Sequence, residues 1–327
     1  MTTPADEEQQ PQEAAPPSEA PRRRLVAVVV AALLVLAGLG AREVLVAGAR
    51  PPSPPGSWTL VPYRGLGAWV DVYDWTKAFG GGTPAVGTAQ IDAMAKAGVQ
   101  TVFIQTAGAR TGDVLEPTQL DKLIDRAHAR HLHVVAWYLP TLTDVAQDER
   151  RLEAAAALRV DGLAVDIEAT DVADVTVRNQ RVVDLSRQLR SRIDPKKVIS
   201  AVTLSPVHLE VVNPAYWTDY PWKAIGTSYD AILPMAYWTI RLGDLRNGER
   251  YITQTVDRIR IDTGRSDLPI HVIGGIADEA TTADLQGMVR AIDHEGAIGG
   301  SLYDWHTSTP PQWVALQPLR PLRSPTP

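Results

Sequence analysis

Eight short stretches rich in β-branched, aromatic and other apolar residues recur along the chain, at residues 65–72, 99–106, 133–139, 161–168, 198–204, 230–237, 269–276 and 298–305. Between them lie amphipathic stretches, among them 88–97, 117–131, 144–158, 175–193 and 282–294, whose apolar positions recur at helical spacing. Near-continuous apolar strands alternating with helices predict a parallel sheet covered by helices. Eight such units in about 270 residues match a closed α/β architecture, the (β/α)8 or TIM barrel. A doubly wound open sheet is the alternative, but no Gly-x-Gly-x-x-Gly follows the first strand.

The same pattern predicts which residues face the lumen, because alternate residues of a barrel strand point inward. In the fourth strand Leu163, Val165 and Ile167 form the apolar outer set, which leaves Ala164, Asp166 and Glu168 inside. Two carboxylates thus share the C-terminal end of one strand, where barrel enzymes keep their chemistry. In the first strand Trp69, Asp71 and Tyr73 are expected inside; Met235 and Tyr237 share a face of the sixth, and the eighth ends in Tyr303, Asp304 and Trp305.

Before the first strand the pattern changes. Residues 1–24 are rich in Pro, Glu, Gln and Ala, end in Arg22-Arg23-Arg24, and are expected to form a disordered cytoplasmic tail. Residues 25–47 contain an unbroken apolar run and are expected to be a transmembrane or signal-anchor segment, whose preceding arginines favour a cytoplasmic N-terminus. The domain at 58–327 is then extracytoplasmic, spaced from the membrane by a Pro-rich linker at 48–57. A cleaved signal peptide is the rival, with Ala47-Gly48-Ala49 as the small-residue site and secretion after Ala49 as its result.

Composition narrows the function. A formal charge of −6 with scattered Lys and Arg gives no footprint for nucleic acid. The absence of cysteine removes disulfides and thiolate metal sites. His128, His131 and His133 fall at the bottom of the barrel and are expected to be structural, so no metal is implied. Gly80-Gly81-Gly82 reads as a rim loop, Gly274-Gly275 ranks low as a phosphate site, and residues 241–250 read as a mixed-charge loop. No cofactor is expected, and the oligomeric state is left open.

Hydrolysis of a glycosidic bond needs a carboxylic acid for the leaving oxygen and an anion or internal nucleophile for the oxocarbenium-like carbon. Asp166 and Glu168 could divide these tasks, an ionised Asp166 raising the pKa of Glu168 by repulsion. Trp69, Tyr73, Trp137, Tyr138, Tyr237, Trp238 and Trp305 stand near strand C-termini and could stack on sugars, although barrel tryptophans are as often core.

Asp161-Gly162-Leu163-Ala164-Val165-Asp166-Ile167-Glu168 resembles the fourth-strand signature Asp-Gly-x-Asp-x-Asp-x-Glu of the glycoside hydrolase family 18 chitinases. Met235-Ala236-Tyr237 resembles that family's Met-x-Tyr motif, and Trp305 stands where its eighth strand carries a tryptophan. The resemblance implies Glu168 as acid/base, Asp166 orienting a 2-acetamido group, and Tyr237 hydrogen-bonding that group as its carbonyl oxygen attacks the anomeric carbon. Asp71, Trp69, Tyr73, Trp137, Met235, Trp238, Asp304 and Trp305 are the expected substrate contacts. Ala164 departs from the pattern in place of the inner aspartate, and Trp238 where Asp or Asn commonly follows the tyrosine.

Asp71-Val72-Tyr73-Asp74-Trp75 also loosely resembles the first-strand motif of family 25 lysozymes. Both families act on N-acetylated aminosugar polymers, so the implied partner is a polysaccharide such as peptidoglycan or a chitin-like polymer. The alternatives are a barrel that binds glycan without cleaving it, and a glycosidase using Asp71 or Asp304 as its second group.

Overall fold

The computed structural model describes residues 58–320, which form eight parallel strands closed into a barrel in sequential order. The strands are β1 (Gly65–Val70), β2 (Thr101–Gln105), β3 (His133–Tyr138), β4 (Gly162–Ile167), β5 (Ile199–Leu204), β6 (Ala231–Met235), β7 (His271–Ile276) and β8 (Gly299–Tyr303). Closure runs through β1 and β8, where Gly65 pairs with Gly299 and Ala68 with Leu302. The open-sheet alternative is thereby excluded. Residues 1–57, including the expected tail, membrane segment and linker, lie outside the described residues. Among the described residues no helix is long and apolar enough to cross a membrane.

The helices are α1 (Val72–Trp75), α2 (Thr88–Ala97), α3 (Pro117–Ala129), α4 (Val145–Ala156), α5 (Val175–Arg192), α6 (Trp222–Ser228), α7 (Gly248–Thr263), α8 (Thr282–His294) and α9 (Pro310–Leu316). Polar side chains start several of them by accepting an otherwise unpaired amide: Asp144 from Gln147, Asp174 from Val177, and Asn247 from Arg250. The last of these corrects the reading of 241–250 as a loop, since α7 begins at Gly248 and Gly243–Arg246 before it form a short 3-10 turn.

Two apolar layers hold the barrel. The outer one lies between sheet and helices and takes Leu66, Ala68 and Val70 of β1 and Leu163, Val165 and Ile167 of β4. The inner one fills the lumen with Trp69, Phe103, Val135, Trp137, Ala164, Val202, Leu233, Met235 and Ile273. This is the expected alternation. One polar cluster in the lumen is fully paired: Ser301 Oγ meets Trp69 Nε1 at 2.8 Å and His271 Nε2 at 3.0 Å, and His271 Nδ1 meets the Tyr63 carbonyl at 2.8 Å. Burial holds His271 near a pKa of about 4, so the imidazole is neutral there.

At the bottom face Asp161 accepts from the Val134 amide and faces His128 Nε2 at 3.0 Å. His133 stands 3.8 Å from the same carboxylate. These histidines therefore brace strand ends. The glycine pair of β7 is explained by packing as well: a Cβ on Gly274 would meet Met288 Sδ at 2.5 Å, and one on Gly275 would meet Thr239 Cγ2 at 2.3 Å.

Candidate active site

β4 delivers Asp166 and Glu168 to the C-terminal mouth of the lumen. Its end is pinned by Tyr220, whose hydroxyl donates to the Ile167 carbonyl between the two acids at 2.8 Å. Asp166 is buried and its Oδ1 has no hydrogen-bond partner. Burial, and after it the charge of Glu168, drives its pKa well above the usual carboxylate range. Burial alone lifts Glu168 to about 7. Lost water is thus the first cause for both acids, and the charge each carries opposes ionisation of the other.

Trp137 and Ala164 face each other in register across β3 and β4. A large indole thus packs beside the small side chain that replaces the family aspartate. Trp137 Nε1, like Asp166 Oδ1, is buried without a partner. A buried donor and a buried acceptor left unpaired on adjacent strands cost stability unless a ligand meets them.

Tyr237 follows β6 and packs on the lumen cluster beside Met235. Burial first, then the charges of Glu168, Asp166 and Asp304, hold its phenol far above its ordinary pKa, so it stays a hydrogen-bond donor among three carboxyl groups. Its ring lies 6.2 Å from that of Tyr303. Tyr303 in turn lies 6.5 Å from Trp69 and donates to Asp71 Oδ2 at 3.0 Å. Tyr303 was not among the expected contacts, although it shares lumen parity with Ser301.

Other expected contacts are placed elsewhere. β1 ends at Val70 and the chain turns into α1, which leaves Tyr73 exposed against Phe79 instead of inside the lumen. Trp69 is only 2% exposed and stacks on Phe103 at 4.4 Å, so it fills the barrel beneath the site. Trp238 is 0% exposed and packs in the outer layer, where Gly248 and Gly275 leave room for it. Tyr138 also belongs to the outer layer and donates to Asp148 at 2.7 Å. Trp305 lies past the end of β8 and packs on Trp313 at 4.9 Å.

Asp71, Asp74 and Asp304 offer oxygens within 4.8 Å of one another, a ligand set for a metal ion that the sequence reading did not weigh. Most of those oxygens are already engaged. Asp71 Oδ1 caps α1 through the Tyr73 and Asp74 amides, Asp304 Oδ1 takes both the amide and the hydroxyl of Thr307, and Asp74 Oδ1 faces His306 Nδ1 at 3.0 Å. Burial first, then the charges of Asp71 and Asp304, raises Asp74 to about 7.

The barrel matches the spore cortex-lytic enzyme SleL of Bacillus cereus with a TM-score of 0.58 and 10% identity, over 79% of this chain and 74% of that one. It matches a family 18 chitinase of Cycas revoluta, solved with allosamidin, at 0.55 and 10% identity, over 78% and 97% of the two chains. Its fold is that of the glycoside hydrolase family 18 barrels. A family 18 N-acetylglucosaminidase from Paenibacillus barengoltzii gives 0.52 at 10% identity, over 78% of this chain and 99% of the other. No family model matches the chain, and no curated relative matches it.

Proposed function

We propose that the protein is an extracytoplasmic glycoside hydrolase acting on an N-acetylated aminosugar polymer, with Glu168 as general acid/base and the substrate's own acetamido group as nucleophile. The observation that carries this reading is the pair of inward carboxyl groups at the end of β4, with Glu168 lifted to about 7 by burial. At neutral pH a group poised there donates a proton to a leaving oxygen and takes one back from water. An acetamido group presents one donor and one acceptor. Its N–H suits Asp166 Oδ1, and its carbonyl suits the phenol of Tyr237 or the indole N–H of Trp137, the first and last of which lack partners.

A protein carboxylate is less suited to the second role. Asp71 is engaged through both oxygens and Asp304 through Oδ1, which fixes them as supports of the rim. The extracytoplasmic placement rests on the arginine-flanked apolar run in residues 22–47. The activity is tested by reducing-end release from peptidoglycan fragments and chitin oligomers. The full chain is expected to release ends from one of these polymers, and Glu168→Gln to lose roughly 10²-fold or more of that rate. Undiminished hydrolysis by Glu168→Gln removes Glu168 from its role, and no release by the unaltered chain leaves a glycan-binding barrel.

A further inference from the structure

The loop after β5 brings a group of residues to the mouth that the proposed chemistry does not use. Tyr216 is 39% exposed, and the charge of Glu168 contributes to raising its pKa, after burial, which places the phenol within electrostatic reach of the acid. Its ring lies 5.1 Å from His208. The loop is firmly held: Asn179 of α5 accepts from Trp217 Nε1 at 2.6 Å and donates to the carbonyls of Thr218 and Asp219.

The charges around this loop are not balanced. Arg178 is buried, lies over the Trp217 ring at 4.4 Å, and gives Nε to the Val172 carbonyl, but its Nη1 has no partner and among the described residues no carboxylate forms an ion pair with it, the charge of Asp171 acting from beyond ion-pair distance. Arg241, in the loop after β6, lies 5.7 Å from the centre of the Tyr251 ring; its Nε is buried without a partner, and it too forms no ion pair among the described residues. Two of the acidic groups in the same two loops are committed elsewhere, Glu210 to Arg258 and Asp244 to Arg250, while Asp219 forms no ion pair with either arginine. His208 adds a third orphan, Nδ1, and is kept neutral by burial first and the Arg241 charge second, with its pKa lowered to about 4. Most other arginines of the barrel meet a carboxylate, including Arg126, Arg190, Arg192, Arg260 and Arg290. A half-buried guanidinium without a counter-ion is costly, and an incoming carboxylate relieves that cost through charge-assisted hydrogen bonds.

We infer that the glycan taken by this site carries a carboxylate, received by Arg241 and His208 at the β5 and β6 loops with Tyr216 as the adjoining sugar platform. This rests on the glycosidase reading and names its substrate class: an acidic aminosugar polymer in preference to a neutral one. The carboxylate can sit on a lactyl ether, as in N-acetylmuramic acid, or on the ring of a uronic acid.

Binding to the full chain carrying Glu168→Gln tests it by calorimetric titration, using oligomers of equal length. One is neutral, all N-acetylglucosamine; one alternates with N-acetylmuramic acid; one alternates with a hexuronic acid; and one is the methyl ester of the muramic oligomer. One of the two acids is expected to bind roughly ten-fold or more tighter than the neutral oligomer, with the tighter acid identifying the carboxylate's source. Adding Arg241→Gln is expected to bring that ratio to near one, while Arg241→Lys retains part of it. The ester is expected to match the neutral oligomer, a result that does not depend on any Arg241 variant folding. If acids, ester and neutral oligomer bind alike, or if the preference survives Arg241→Gln, the carboxylate inference is overturned and the glycosidase reading stands. If no oligomer binds, both fall.

Discussion

Glu168 is a carboxyl group that has lost its water and kept its proton. Its pKa of about 7 lies above that of a free glutamate, so the folded protein holds this proton more tightly than the unfolded chain does. The stability it contributes is fully present below about pH 4 and is lost as pH rises toward 7. Glu168→Gln is therefore expected to be more stable than the parent above pH 7 and to lose that advantage near pH 4, as read by denaturant titration across pH. The activity has the matching sign: the rate falls as pH rises through about 7, because the acid form is the donor. A rate that rises steadily to pH 9 would assign the proton to another group. Asp166, buried beside it, is pushed in the same direction, with burial as the main cause.

Along β4 the residues divide between chemistry and support. Asp161 braces His128 and the Val134 amide, and Gly162 makes room for Tyr63, whose hydroxyl donates to the Leu163 carbonyl at 3.0 Å and accepts from its amide at 3.1 Å. A Cβ at Gly162 would lie 2.5 Å from that hydroxyl. Gly162→Ala is expected to cost about 1–3 kcal/mol, read as a lower Tm; an unchanged Tm would show that Tyr63 does not need the space. Strand periodicity was legible in the sequence because both faces of a barrel strand are apolar and alternate strictly, as Leu163 and Ala164 do. Parity failed where the backbone left the strand. Asp71 turns the chain into α1 and swings Tyr73 out. Trp238 was already on the outer parity, and proximity to Tyr237 made it look like a contact. The helix Gly248–Thr263 was hidden by the charged residues that open it, and the aromatic loop around Tyr216 has no period to reveal it.

The described residues form a closed barrel with bracing groups at its bottom and titratable groups at its mouth, the division expected of a barrel enzyme. Where that mouth faces is a matter of topology: a reporter active only in the cytoplasm, fused after Gly56, is expected to give no signal, and a strong signal would overturn the extracytoplasmic placement. The site itself contains an acid at the end of β4, a phenol in the lumen, and rim carboxylates tied down by their own hydrogen bonds, and the proposed reading assigns the nucleophile to the substrate's acetamido group. The measurement that tests this most directly is proton NMR of the first product released from an N-acetylated oligomer and from the same oligomer after deacetylation. The account predicts cleavage of the acetylated oligomer with the anomeric configuration retained, and no cleavage of the deacetylated one. Efficient cleavage of the deacetylated oligomer, or an inverted product from the acetylated one, would contradict it.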